Sequence, residues 1–191
     1  MKRTWENYTR YMHSFKNLDY LSPLRKQPVL SVHIVCLGNI CRSPIANAVL
    51  LGATKDLSAP KVKVDSSGTG AWHVGQPAAE YSKQVWQDAG YEYEHLAKQF
   101  KVDFFQKHDL ILAMDLSNRN NLLKLAQSES DKNKIIMFTS FDASKSQIDP
   151  DGKDGNLLSV PDPYGGSIDQ FQSVLKIIEQ AATGFTSWVR S

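Results

Sequence analysis

The chain is 191 residues long, which suits one domain with a substantial core. A net charge of +2 does not favour a nucleic-acid-binding surface, and no apolar run reaches the ~18 residues that a membrane span needs. The two cysteines, Cys36 and Cys41, are too few and too close together for a disulfide scaffold, and the first residues lack the apolar run of a signal peptide. We therefore expect a cytoplasmic protein with no bound nucleic acid and no membrane contact.

Residues 1–28 precede the first predicted strand. Aromatic and apolar side chains recur there at steps of three or four, from Trp5 to Leu18, which is typical of an amphipathic helix. Six basic and two acidic residues give this segment an excess of four positive charges. We predict an N-terminal helical extension over 1–28, docked on the domain that follows. The alternatives are a helix that docks a partner or a membrane surface, or a targeting leader.

Residues 29–44 predict a strand, a short loop and the start of a helix. The β-branched run over 29–35 is typical of a buried strand, and Ser43 and Pro44 are residue types favoured at a helix start. The loop between them contains Cys36 and Arg42. Loop amides and the positive end of a helix dipole both attract anions. The stretch therefore predicts an oxyanion site that holds a thiol and a guanidinium.

The rest of the chain alternates predicted strands with predicted helices. Strands are predicted over 61–68, 109–114 and 134–138, and helices over 45–53, 78–90, 101–107, 117–127 and 167–189. This alternation predicts an α/β fold, a three-layer α/β/α sandwich with a central, mostly four-stranded parallel sheet and a phosphate-binding loop between the first strand and the first helix. One domain is expected over 29–191, with the strand at 61–68 on an edge of the sheet and a long polar loop over 142–159.

In such a fold, ligands bind beyond the carboxyl ends of the strands. Cys36, Ser66 and Asp115 each end or follow a predicted strand, so we expect them to meet at that edge. A helix N-terminus and a nearby arginine stabilise a thiolate, which can attack the central atom of a bound oxyanion. Arg42 would bind two of the oxyanion's oxygens, and Ser43 could hydrogen-bond the sulfur.

A leaving group needs a proton, and a carboxylic acid on a rigid loop is the best donor. Asp162, followed by proline, offers one, and the same group could then activate water. Asp149 heads a second Asp-Pro pair and is the competing candidate. Its surroundings, residues 149–155, resemble a calcium-binding loop only loosely, and we interpret them as a surface loop.

Two stretches resemble the low-molecular-weight protein tyrosine phosphatase family. They are residues 35–46, with the sequence VCLGNICRSPIA, and Asp162-Pro163-Tyr164. A weaker match continues in order over 29–190. The resemblance implies that Cys36 is the nucleophile, Arg42 the transition-state arginine and Asp162 the general acid and base, with no cofactor and no metal.

The resemblance also implies roles for the surrounding residues. The phosphate-binding loop and its support would comprise Leu37, Gly38, Asn39, Ile40, Cys41, Ser43, Ser66 and His95. Trp72 and Tyr164 would form aromatic walls of the substrate cleft. Cys41 would trap an oxidised Cys36 as a disulfide and so give redox regulation. The chain departs from the family in two places, because Gly165-Gly166 stands where a second aromatic residue is often found and 142–159 is longer than usual.

The expected function is hydrolysis of phosphotyrosine in proteins, and of small aryl phosphates, through a cysteinyl-phosphate. A protein-arginine phosphatase of the same fold is one alternative, although such relatives carry threonine in place of Ile40. An arsenate reductase is another, although its chemistry uses further cysteines that this chain lacks. The last alternative is a phosphate-binding scaffold module, but Cys36, Arg42 and Asp162 are all present.

Overall fold

A four-stranded parallel sheet forms the centre of the computed structural model, which describes residues 18–191. Its strands are β1 (Val29–Cys36), β2 (Lys61–Gly68), β3 (Leu110–Ala113) and β4 (Ile135–Met137). They lie in the order β2-β1-β3-β4, and every pairing is parallel. The sheet is therefore as predicted, with β2 on an edge.

Helices cover both faces of this sheet. They are α1 (Arg42–Thr54), α2 (Glu80–Asp88), α3 (Phe104–Lys107), α4 (Leu116–Leu125), α5 (Glu129–Asn133) and α6 (Ile168–Arg190). Short 3-10 helices occupy Asp19–Lys26, Phe138–Phe141 and Gly155–Leu158. Helix α1 contacts α6, and α2 contacts both, whereas α4 and α5 contact β4. The three-layer α/β/α prediction is confirmed.

Strand β1 is buried on both faces because it lies inside the sheet. Leu30, Val32 and Ile34 belong to the apolar cluster under α1 and α6, and Val35 belongs to the cluster on the opposite face. Burying a side chain of this size stabilises the fold by about 1.5–3 kcal/mol. The core thus fixes the carboxyl end of β1, where Cys36 lies.

Helix α6 closes the first of these layers. Ser167 and Gln170 form a capping box at its start, in which each side chain bonds the other residue's backbone N–H. Apolar residues recur at helical spacing along the helix predicted over 167–189, and those that form one face are all buried: Phe171, Val174, Leu175, Ile178, Phe185 and Val189. This apolar face packs onto the core.

The predicted start of the first helix, with Ser43 as its cap, is two residues too late. The helix begins at Arg42, and Cys41 occupies the N-cap position without a side-chain cap bond. Ser43 does not cap the helix because its hydroxyl lies 3.0 Å from the Cys36 sulfur. The predicted loop over 142–159 is also partly ordered, since it contains the 3-10 helix Gly155–Leu158 and buries Leu158.

The predicted extension over 1–28 falls mostly outside the described residues. Within them, Asp19–Lys26 is a 3-10 helix whose Leu21 is buried in the core. Arg25 donates a hydrogen bond to the Trp188 carbonyl at 3.2 Å and contacts Ser191, both at the end of α6. The boundary at 28/29 stays a prediction. None of the helices in the described part of the chain is long and apolar enough to cross a membrane.

Candidate active site

The loop from Cys36 to Arg42 joins β1 to α1 and curls around the Cys36 sulfur. Asn39 adopts a left-handed backbone conformation with φ 55°, which asparagine tolerates better than most residues. This turn directs the Asn39 backbone N–H at the sulfur, 3.2 Å away. The Ser43 hydroxyl approaches the same sulfur at 3.0 Å. A backbone N–H and a hydroxyl therefore both lie within hydrogen-bond distance of the Cys36 sulfur.

The Asn39 side chain holds this loop to its neighbours. Its amide nitrogen donates to the hydroxyls of Ser43 at 2.9 Å and Ser66 at 3.1 Å. Its amide oxygen accepts from the Lys98 backbone N–H at 2.8 Å. Because Asn39 occupies a lone pair of Ser43, the serine proton is free to point at the Cys36 sulfur. The predicted neighbourhood of Asn39 and Ser66 is thus present.

His95 supports the loop from the other side. Its Nε2 donates to the Asn39 carbonyl at 2.6 Å, and its Nδ1 accepts from the Tyr93 hydroxyl at 3.2 Å. Tyr93 in turn accepts from the Asn47 amide at 2.8 Å. Burial lowers the pKa of His95, although its bond to the Asn39 carbonyl opposes this. A neutral His95 with one N–H and one lone pair fits both of its bonds.

A glycine lets β2 approach this loop closely. A Cβ on Gly68 would lie 2.5 Å from the Leu37 carbonyl oxygen and 2.9 Å from the Asn39 nitrogen. The following backbone then bonds the loop, with the Gly70 N–H donating to the Leu37 carbonyl at 2.8 Å. Any larger residue at position 68 would push the two segments apart.

Arg42 reaches across the carboxyl end of the sheet. Its Nη1 donates to the Asp115 carboxylate at 2.5 Å and to the Val160 carbonyl at 3.1 Å. Its Nη2 donates to Asp162 at 2.6 Å. Its Nε is buried and has no hydrogen-bond partner among the described residues. The protein thus anchors Nη1 at two points, while the Nε–Nη2 edge is held only by Asp162.

The two candidate acids occupy different places. Asp162 lines the cavity above Cys36 and is part exposed. Asp149 does not line this cavity, and its carboxylate accepts from the Asp151 backbone N–H at 2.9 Å. Asp151 makes a two-bond ion pair with Arg119 at 2.8 and 2.9 Å. The geometry therefore favours Asp162, and residues 149–155 form a surface loop held by Arg119.

A cavity of about 190 Å³ opens above the loop. Its lining residues are Cys36, Leu37, Gly38, Ile40, Cys41, Arg42, Trp72, His73, Asp162 and Tyr164. Trp72 and Tyr164 are exposed at its mouth, where the sequence predicts aromatic walls. His73 was not predicted as part of the site, and its ring centroid lies 6.2 Å from that of Tyr164. Its place directly after Trp72 in the sequence could have indicated it.

Cys41 borders the same cavity. Both cysteines carry free thiols. Burial raises the pKa of Cys41 to about 12, with further contributions from the charges of Cys36 and Asp162. Cys41 is therefore a protonated thiol at neutral pH, and Cys36 is the cysteine placed to act as a nucleophile.

Three supporting residues were not predicted as part of the site: Asn47, Tyr93 and Lys98. Asp115 was predicted at this edge of the sheet, but its bond with Arg42 was not. It also caps α4 by accepting from the Asn118 backbone N–H at 2.6 Å. Lys98 acts through its backbone, which no side-chain pattern reveals.

A thiol and an arginine in a strand–loop–helix cradle, facing a carboxylic acid, define a cysteine-dependent enzyme that acts on oxyanion groups. A family model described as low molecular weight phosphotyrosine protein phosphatase matches residues 31–191. The chain belongs to this family.

Named relatives agree with that assignment. A low molecular weight protein-tyrosine-phosphatase of Streptomyces coelicolor is 39% identical over 160 residues, covering 83% of this chain and 93% of the relative. A low molecular weight phosphotyrosine protein phosphatase of Saccharomyces cerevisiae is 33% identical over 156 residues, covering 80% and 91%. The crystal structure of a protein tyrosine phosphatase from Entamoeba histolytica, with Hepes in its active site, superposes with a TM-score of 0.71. That chain is 32% identical, and the match covers 82% of this chain and 94% of that one.

Proposed function

We propose that this protein hydrolyses phosphotyrosine in proteins, and small aryl phosphates, through a cysteinyl-phosphate on Cys36. The observation that carries the proposal is one cavity lined by Cys36, Arg42 and Asp162 together. Their separation along the chain makes an accidental meeting of a nucleophile, a cation and an acid implausible. The phosphatase names of the relatives support the same reaction.

In the first step, the Cys36 thiolate attacks phosphorus and the bond to the substrate oxygen breaks. The neutral carboxylic acid of Asp162 gives its proton to that leaving oxygen, so the alcohol departs uncharged. The phosphoryl group is then bonded to the Cys36 sulfur. Ser43, 3.0 Å from the sulfur, donates a hydrogen bond that stabilises the thiolate before attack.

In the second step, the Asp162 carboxylate removes a proton from water, which attacks the same phosphorus. The phosphorus–sulfur bond breaks, and Cys36 returns as the thiolate with inorganic phosphate as the product. The Ser43 and Asn39 hydrogen bonds then stabilise sulfur as the leaving group.

Arg42 binds the transferring group throughout. Its Nη1 stays with Asp115 and the Val160 carbonyl, while Nε and Nη2 face two phosphate oxygens as a bidentate pair. The phosphate replaces Asp162 at Nη2, which frees that carboxyl group for proton transfer. Substrate binding thus switches Asp162 from an ion-pair partner to an acid.

The lining of the cavity supports an aryl substrate over phosphoarginine. Trp72 and Tyr164 offer ring faces at its mouth, and the apolar Ile40 leaves no extra hydrogen-bonding group in the loop. A panel of phosphotyrosine, phosphoarginine and phosphoserine peptides tests this directly. We expect the phosphotyrosine peptide to have the highest kcat/KM, and Ile40→Thr to lower that preference. A preference of the unchanged protein for phosphoarginine would reject the substrate class while leaving the cysteine chemistry intact.

Redox control by Cys41 is part of the proposal. Both thiols border one cavity, and peroxide would oxidise the Cys36 thiolate to a sulfenic acid, which Cys41 could convert to a disulfide with loss of water. A reducing, cytoplasmic compartment would keep the resting enzyme active. Peptide mass mapping after peroxide should find a Cys36–Cys41 bond whose reduction restores activity. Finding only sulfonate on Cys36 would exclude this form of control.

We also propose that 29–191 is the catalytic unit and that 1–28 docks a protein partner. The excess of four positive charges over 1–28 supports an acidic partner surface. Because Leu21 is buried in the core, the test should remove only residues 1–17. We expect unchanged kcat/KM for a small aryl phosphate and a lower value for a phosphoprotein substrate. Equal values for both chains on both substrates would remove the docking role.

A further inference from the structure

A second polar cluster lies on the far side of β1 from the α1 layer, outside the active site. Its side chains come from the sheet and from the segments beside it: Ser31, His33, Asp65, Ser67, Lys98 and His108. His33 on β1 is paired in register with Asp65 on β2. The backbone pairing of the two strands therefore places these two residues side by side.

His33 is the most deeply buried member and has an unused nitrogen. Its side chain has no exposed surface, and its Nε2 bonds the Ser67 hydroxyl at 2.7 Å. Its Nδ1 is buried and has no hydrogen-bond partner among the described residues. The nearest Asp65 oxygen lies 3.9 Å from it, too far for a hydrogen bond. Leaving such a group buried and unpaired is unfavourable.

His108 faces His33 in a matching arrangement. Their ring centroids are 4.5 Å apart, and Nδ1 of His108 bonds the Ser31 hydroxyl at 2.9 Å. Each imidazole is therefore held by a serine at one ring nitrogen, which leaves the other nitrogen for a ligand. Metal-binding histidines are usually oriented in this way, by a hydrogen bond at the nitrogen that does not bind the metal.

We propose that His33, Asp65 and His108 bind a divalent transition-metal ion of the Zn²⁺ type. The three ligand atoms lie within 4.8 Å of one another. Ligand atoms around tetrahedral zinc, with bonds of about 2.0–2.1 Å, are roughly 3.3 Å apart. The atoms must therefore close by up to about 1.5 Å, which side-chain rotation of the half-buried Asp65 and His108 can supply. Water would complete the coordination.

The donor atoms of the cluster suit a transition metal. Two imidazole nitrogens and one carboxylate form a donor set that favours zinc over magnesium or calcium. Lys98 would compete with the metal ion for Asp65, because its Nζ lies 2.5 Å from the other Asp65 oxygen. Its part-exposed side chain can move into solvent.

The test measures metal binding directly in the full-length Cys36→Ser chain, which lacks the reactive thiol. We expect one equivalent of Zn²⁺ by calorimetry, a visible spectrum of Co²⁺ with nitrogen and oxygen ligands, and a Zn²⁺-dependent rise in Tm. His108→Ala should weaken Zn²⁺ binding at least tenfold and remove the rise in Tm. His73→Ala, a histidine outside the cluster, is the matched control and should bind as before.

The second part of the test uses a variant that we expect to bind Zn²⁺ more tightly. Lys98→Met removes the competing cation while keeping the backbone N–H that bonds Asn39, so we expect Zn²⁺ to bind several-fold more tightly. Thermal unfolding without metal verifies that each variant is folded. Failure of the Cys36→Ser chain to bind Zn²⁺, or equal affinities of that chain and His108→Ala, would overturn the proposal.

Discussion

Two buried polar clusters meet β1, and they differ in how completely their hydrogen bonds are made. At the carboxyl end, Asn39 uses both of its amide hydrogens and its amide oxygen. On the far face, His33 uses one ring nitrogen and leaves the other buried without a partner. Both residues are fully buried, so the difference cannot come from access to water.

The cluster around Asn39 fixes the conformation of a loop, whereas the cluster around His33 has a nitrogen that could bind a ligand. A fully bonded network allows one arrangement, which suits a loop that must keep its N–H groups aimed at a bound phosphate. A buried unpaired nitrogen is retained at a cost in stability. Above Cys36, the buried Arg42 Nε has no hydrogen-bond partner among the described residues, and that is where we expect the substrate to bind.

Removing the nucleophile should give the largest effect and leave the bonded network in place. We expect Cys36→Ser to lower turnover of an aryl phosphate by more than about a thousandfold, because no other thiolate reaches the substrate. Calorimetry should still detect phosphate binding, since Arg42 and the loop amides remain. Substantial turnover by this variant would show that the chemistry lies elsewhere.

Replacing Asp162, the proposed acid, should slow substrates with poor leaving groups more than substrates with good ones. Asp162→Asn should slow phenyl phosphate about 10²- to 10³-fold, and slow an aryl phosphate with an activated leaving group far less, since the latter needs no proton. Steady-state rates with both substrates give the comparison. Asp149→Asn, at the other Asp-Pro pair, is the matched control and should leave both rates unchanged. An equal loss on both substrates would assign Asp162 a purely structural role.

Removing the hydrogen bonds of the Asn39 side chain should lower activity less than removing Cys36 or Asp162. Asn39→Ala leaves Ser43, Ser66 and Lys98 each without one partner and places alanine at a φ of 55°. We expect a drop in kcat of roughly 10- to 100-fold and a loss of about 2–3 kcal/mol in the free energy of unfolding. Asn39→Gly keeps the backbone freedom, so its difference from Asn39→Ala isolates the backbone cost. A fully active Asn39→Ala enzyme would contradict the supporting role.

The free energy of unfolding should depend on pH because of His33, in the cluster that leaves one ring nitrogen unpaired. Its pKa in the folded state is about 3, below the ordinary value of 6.5, so the unfolded chain binds more protons between these values. Stability is therefore full above pH 6.5 and falls as the pH drops, by about 2 kcal/mol from pH 7 to pH 5. Burial also lowers the pKa of His95 and of His108, which act in the same direction.

Urea unfolding at several pH values, with a metal chelator present, measures this dependence. His33→Leu removes one of the three histidines and should flatten the curve. Identical pH dependence in His33→Leu and the unchanged chain would show that the buried imidazole is not responsible.

Local patterns predicted the framework of this protein well. The β-branched run before Cys36 indicated a buried strand, and the apolar face over 167–189 indicated a helix packed on the core. The alternation of strands and helices indicated the fold class. These patterns were sufficient for the parallel sheet. The choice of Asp162 came instead from its Asp-Pro pair and from the family resemblance, and its role as the acid stays a prediction. The helix Glu129–Asn133 was missed because it is short and polar, and its start depends on a Ser128 cap.

Contacts between distant elements were beyond the reach of such patterns. The bond from Arg42 to Asp115 spans 73 residues, and Lys98 supports Asn39 through its backbone alone. Both of these partners are set by the packing of the sheet edge, which the local sequence does not encode. For Ser43 the predicted helix cap is wrong, but the predicted contact with the Cys36 sulfur is present at 3.0 Å.

The most direct test is to trap the covalent intermediate. Asp162→Asn lacks the base for the second step, so rapid acid quenching after mixing with an activated aryl phosphate should accumulate a phosphoryl group on the protein. Peptide mass analysis should locate that group on Cys36, and the Cys36→Ser, Asp162→Asn double variant should carry none. A phosphoryl group on another residue, or turnover with no labelled cysteine at any time point, would contradict the account.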